Sequence, residues 1–142
     1  MTATLPTGLL ADRLGIEVLE AGPERVVARM PVAGNQQPDG LLAGGASCML
    51  AESVSSRAAA LHAAEMGAKA VGVELNATHH RSATSGHVTA VATVIHRGRT
   101  AASYQVVVTD EAGKRICTAR VLCLVVRRPG HDPNSTTRAE ET

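Results

Sequence analysis

The chain contains no tryptophan and no phenylalanine, and its single aromatic residue is Tyr104. Recognition of single-stranded nucleic acid relies on aromatic rings that stack on bases, and this sequence offers almost no such platform. Charge does not supply one either: 14 Lys and Arg against 13 Asp and Glu leave a formal net charge of +1. The basic residues are scattered, so a nucleic-acid partner is excluded. Long apolar runs are missing as well. None approaches the roughly 18 residues of a membrane span, and Met1 to Gly15 lacks the basic start and apolar stretch of a secretory leader. A cytoplasmic protein with no membrane partner is expected.

Cysteine is scarce and odd in number: Cys48, Cys117 and Cys123, with no Cys-x-x-Cys spacing. That suits reduced thiols packed as small hydrophobes better than a disulfide framework. The six histidines include no His-x-x-x-His, and the adjacent pair His79 and His80 must point to opposite faces of an extended segment. They cannot chelate one ion, so no metal and no resident cofactor are expected.

What is present reads as one α+β domain over residues 1–128. The stretch 129–142 has no apolar pattern and is expected to be a disordered C-terminal tail. From Thr7, "TGLLADRL" reads as a Thr cap leading into a short amphipathic turn or helix. "GIEVLEAGPERVVARMPV" follows as an antiparallel hairpin turning at Gly22-Pro23. Asn35 to Gly40 is loop by composition. Ala46 to Met66 holds no Gly or Pro, and Met49, Leu50, Val54, Ala58 and Leu61 recur near helical spacing, which gives one long helix of about 30 Å. Four β-branched runs then follow: "AVGVELNATHH", "HVTAVATVIH", "TAASYQVVVTD" and "KRICTARVLCLVV". The short connections "RSATSG", "RGR" and "EAG" suit antiparallel neighbours. The pattern implies five or six antiparallel strands wrapped around a single helix rich in small residues.

Within "QQPDGLLAGGASCMLAESVSS" one acid, Glu52, stands among apolar neighbours. A helix beginning near Gly44 turns free backbone N–H groups and the positive end of its dipole toward the preceding loop. The Gly44-Gly45 pair lets a carbonyl approach those amides, as stabilisation of a tetrahedral acyl-transfer intermediate requires. Gln37 in the loop offers an amide to orient water or acyl group. Glu52 lies roughly 12 Å further along the helix axis, too far to meet the same carbon. Two helices packed antiparallel across a two-fold axis would bring each Glu52 toward its partner's helix start, so the motif makes catalytic sense in a dimer. Ser56, one turn beyond, is placed to hydrogen-bond the carboxylate, a water or the leaving group.

"QPDGLLAGGASCMLAESVSS", followed by "VGVELNATHHRSATSGHVTAVATVIHRGRTAASYQVVVTDEAGKRICTARV", resembles the glutamate-dependent hotdog-fold acyl-CoA thioesterases of the 4-hydroxybenzoyl-CoA thioesterase type, a group that includes the proofreading thioesterase of enterobactin synthesis. The likeness runs from about Leu10 to Val126. It implies a hotdog fold, dimers that assemble into homotetramers, and metal-free hydrolysis of acyl- or aryl-thioesters of coenzyme A or a carrier protein, coenzyme A being part of the substrate. By position, it implies that Glu52 is nucleophile or general base, that Gln37 and the Gly44 N–H polarise the thioester, and that Ser56 assists. It further implies that His79 lines the acyl pocket and that Arg81, Arg97 and Arg99 approach pantetheine or nucleotide phosphates. The chain departs from the pattern at Ala43, where the relatives nearest in motif read G-L-L-H-G-G and this sequence reads G-L-L-A-G-G. That loss of a donor motivates an alternative, a hotdog protein that binds acyl-CoA without turnover. A hotdog dehydratase would want a histidine paired with the acid, and His62 lies on another part of the helix.

Overall fold

The computed structural model describes residues 7–127. The expected tail over 129–142 lies outside them. The chain runs α1 (Leu9–Leu14), β1 (Glu17–Ala21), β2 (Arg25–Pro31), α2 (Gly44–Ala64), β3 (Lys69–His79), β4 (His87–Arg97), β5 (Ala101–Thr109) and β6 (Arg115–Val126). The strands form one antiparallel sheet in the order β1-β2-β4-β5-β6-β3, with α2 packed against it. Among the described residues β3 therefore lies at one edge, paired only with β6, and β1 lies at the other.

Alternation in the strands decides which face meets the helix. Val26, Ala28 and Met30 of β2, Val88, Ala90 and Ala92 of β4, and Val106 and Val108 of β5 are all inaccessible to solvent. They pack against Leu50, Ala51, Val54, Ala58 and Ala59 of α2. Alanine on both surfaces brings helix and sheet close. The one large aromatic, Tyr104, is fully buried, and its hydroxyl donates to the Pro23 carbonyl at 2.9 Å, which ties β5 to the β1–β2 turn. Cys117 and Cys123 are buried and Cys48 is half-buried, all as free thiols, and burial pushes each thiol pKa up.

At the start of α1 the expected Thr7 cap is corrected. Gly8 occupies the cap position with no side-chain capping bond, while the Thr7 hydroxyl donates to the Asp12 carboxylate instead. The α2 boundaries fall close to expectation, with the first turn at Gly44 and the end at Ala64.

Candidate active site

The loop before α2 is held by a residue the sequence reading passed over. Asn35 is buried; its amide nitrogen donates to the carbonyls of Leu14 (2.7 Å) and Pro31 (2.8 Å), and its own carbonyl accepts from Ala43 N–H (2.9 Å). The end of α1 and the end of β2 are thus fastened to the Asn35 side chain, and the start of α2 to its backbone carbonyl. A buried loop Asn with so many partners is a positioning element, and its only sequence signal was an amide residue in a turn-rich stretch. In the same loop, Gln37 Oε1 accepts from the Asp39 N–H, which leaves its amide NH2 to donate outward.

Ala43 caps α2 in an extended conformation (φ −66°, ψ 135°) and supplies no capping side chain. The first amides, those of Gly44 and Gly45, have no acceptor among the described residues. Beside them lies His79: a Cβ on Gly44 would sit 3.0 Å from its Nε2. The His79 Nε2 is also 3.9 Å from Cys48 Sγ. His80, on the other face as its neighbour relation requires, contacts Thr118 Oγ1 at 2.9 Å. Gln37, Gly44, His79 and Arg81 line a single cleft of about 350 Å³ at the start of α2.

Glu52 is exposed, on the flank of α2 that also carries Met49 and Ser56. These three residues line a different cavity of about 410 Å³, walled by Ile16, Val18, Ala60 and Ala70. Glu52 also borders a smaller space of about 240 Å³ along β3. No described residue lines both the Glu52 cavity and the Gly44 cleft. One chain therefore holds both halves of the expected machinery and keeps them apart.

The three arginines differ. Arg81 and Arg99 are exposed, and neither side chain has a partner among the described residues. Arg97 departs from the expectation of a phosphate ligand. Its guanidinium is committed to Glu65 (2.6 Å), Glu24 (3.3 Å) and His62 Nδ1 (3.1 Å). His62 in turn donates from Nε2 to the Gly98 carbonyl at 2.7 Å, so the bond from Arg97 fixes its tautomer. This cluster pins the β4–β5 turn to the C-terminal end of α2, and it removes His62 as a partner for Glu52. No group of three or more His, Cys, Asp or Glu among the described residues is arranged to hold a metal. Among the same residues no helix is long and apolar enough to cross a membrane.

A six-stranded antiparallel sheet wrapped on one long helix is the hotdog architecture of thioester hydrolases. The chain belongs to the thioesterase superfamily, whose sequence pattern matches residues 39–117. It is 41% identical over 120 residues to the proofreading thioesterase EntH of Cronobacter turicensis, covering 84% of this chain and 87% of that one. Among solved structures it resembles a mutant thioesterase of Pseudomonas aeruginosa (42% identity, TM-score 0.78, 82% of this chain and 85% of that one). It likewise resembles a thioesterase of Haemophilus influenzae (38% identity, TM-score 0.80, 86% and 85%). The chain is a thioester hydrolase.

Proposed function

We propose that the protein hydrolyses acyl- or aryl-thioesters of coenzyme A or of a carrier protein, in the cytoplasm, at sites completed only in a homodimer that pairs further into a tetramer. The observation that carries this reading is the separation of Glu52 and Ser56 from Gln37, Gly44 and His79 in two distinct cavities of one chain. An antiparallel partner helix would set Glu52 of one protomer opposite the helix start of the other. The same arrangement would bring the β4–β5 turn, with Arg99, from one protomer toward Arg81 of its partner, where both can meet phosphates.

In such a site the thioester oxygen lies against the Gly44 N–H and the Gln37 amide, which stabilise the charge it gains. Glu52 then acts by one of two routes. As a base it takes a proton from water whose oxygen bonds to the carbonyl carbon; the C–S bond breaks and the thiolate leaves as thiol with that proton. As a nucleophile its carboxylate oxygen bonds to the carbon, the thiolate departs, and water cleaves the resulting anhydride. Either route consumes one water and yields acid and thiol. The acyl group extends along the part of the Glu52 cavity walled by the apolar, non-aromatic side chains of Ile16, Val18, Met49 and Ala60.

Subunit complementation tests this. Glu52→Gln should fold normally and lose at least about a hundredfold in thiol release, and Gln37→Ala should be impaired. Exchanged in equal amounts, about half the dimers are mixed, each with one of two sites intact, so about a quarter of wild-type activity should return. Sedimentation should show no active monomer. Failure of the mixture to recover, or an active monomer, would place the chemistry within one chain.

A further inference from the structure

We propose that Gly72 reserves the place of the reacting atom beside Glu52, as a positioning residue that acts by the side chain it lacks; the inference rests on the thioesterase reading above. Gly72 sits inside β3, paired with Cys123 of β6. Glycine in the body of a strand costs conformational entropy and contributes no packing, so its presence there calls for a reason. Backbone conformation is not that reason, because Gly72 is not among the glycines with positive φ.

The reason lies in front of it. Among the described residues beyond its chain neighbours, a Cβ on Gly72 would meet two atoms within 4 Å, Glu52 Oε1 at 3.5 Å and Ser56 Oγ at 3.8 Å. Those distances are ordinary contacts, so the fold does not forbid a methyl group. They are also close to the roughly 3–3.5 Å at which reacting atoms stand before bond formation. A methyl group at position 72 would thus compete with the water or carbonyl carbon that Glu52 must reach. The space continues into the opening of about 240 Å³ between Glu52, Gly72 and Leu75. The pairing register shifts between Gly72 and Glu74, and such bulges commonly re-aim a strand beside an active site. One protomer then supplies the whole attacking half of the site, Glu52, Ser56 and the gap at Gly72, while its partner supplies the carbonyl-holding half.

The test compares wild type, Gly72→Ala and Glu52→Gln on a panel of acyl- and aryl-CoA thioesters. Wild-type turnover that disappears in Glu52→Gln establishes the parent reading; its absence sinks that reading, not the role of Gly72 alone. Given it, Gly72→Ala should lose at least about tenfold in kcat with KM changed by less than about threefold, because the methyl group disturbs the approach of the reacting atom to Glu52 while the contacts to the rest of the thioester remain. The melting temperature and oligomeric state should stay those of wild type. A kcat within twofold of wild type overturns the inference. A second measurement leaves position 72 untouched: the crystal structure of Glu52→Gln with an acyl-CoA analogue that carries CH2 in place of sulfur. The analogue's carbonyl carbon, or an ordered water next to it, is expected in van der Waals contact with Gly72 Cα and within reach of Ser56 Oγ. Both lying elsewhere overturns the inference even if Gly72→Ala fails to fold.

Discussion

The imidazole of His79 presses against the first residue of α2 so closely that a methyl group on Gly44 would lie 3.0 Å from its Nε2 and 3.4 Å from its Cε1. Gly44 has an ordinary φ, so here too the glycine answers to a neighbour and not to the backbone. Gly44→Ala must therefore displace the ring. Alanine also gains up to about 1 kcal/mol in helix propensity, so the melting temperature should change little. Turnover should fall at least about tenfold, since the ring and the amide face the same cleft. Turnover equal to wild type in a thiol-release assay would remove Gly44 and His79 from the site.

Ala43 leaves the cap of α2 without a side-chain partner, so an imidazole introduced at this position would have helix-start amides beside it. Ala43→His is expected to raise single-turnover rates by about the hundredfold that one oxyanion donor is worth, with less effect on acyl-CoA binding. A loss of rate would show instead that the cleft, already bordered by His79, has no room for a second ring.

His62→Ala should lower stability without touching chemistry. The substitution strands the Gly98 carbonyl and the Arg97 Nε that the buried imidazole now satisfies, at a cost of about 1–3 kcal/mol. The carboxylates that Arg97 also meets are exposed, with side-chain accessibilities of 71% for Glu24 and 57% for Glu65. Such pairs contribute about 0–1 kcal/mol, so Glu24→Gln should barely move the thermal midpoint while His62→Ala moves it by several degrees. Equal shifts in the two variants would contradict the assignment.

Tyr104 makes alkaline unfolding readable. Burial pushes its hydroxyl from the ordinary 10.0 to about 12, opposed in part by Arg97 and assisted by Cys123 and Glu65. The unfolded chain releases the proton first, so the stabilisation is complete below pH 10.0 and is lost as pH rises toward about 12. With one tyrosine and no tryptophan in the sequence, the tyrosinate absorbance reports this residue alone. Its titration should be delayed in the folded protein and ordinary in urea. Tyr104→Phe should abolish this residue's share of the alkaline slope and give up the bond to Pro23.

The elements of this fold were largely legible in the sequence because they follow local periodicity. The β-branched runs became β3 to β6 within a residue or two of their expected ends, and the Gly-free stretch became α2. Glu52 stood out as a lone acid in a small-residue helix. Strand order was not legible: nothing in "AVGVELNATHH" says that its partner is β6 and not β4, since that choice is made by packing across the sheet. The same limit hid Asn35, whose carbonyl partners are contributed by Leu14 and Pro31. It hid Gly72 as well, whose neighbours Glu52 and Ser56 are remote in the chain. Arg97 reads by resemblance as a phosphate contact because Glu24 and Glu65, distant in sequence, meet it only after folding.

The position of β3 has a further consequence for synthesis. Its sole sheet partner among the described residues is β6, which emerges from the ribosome only after β4 and β5. Until then the nascent chain carries α2, with its catalytic candidate, and a strand whose Val71 and Val73 remain half exposed even in the finished fold. Such non-local closure slows folding and leaves a strand edge available to other chains in the interval. Chaperone demand during translation should therefore concentrate on the interval between completion of β3 and release of β6.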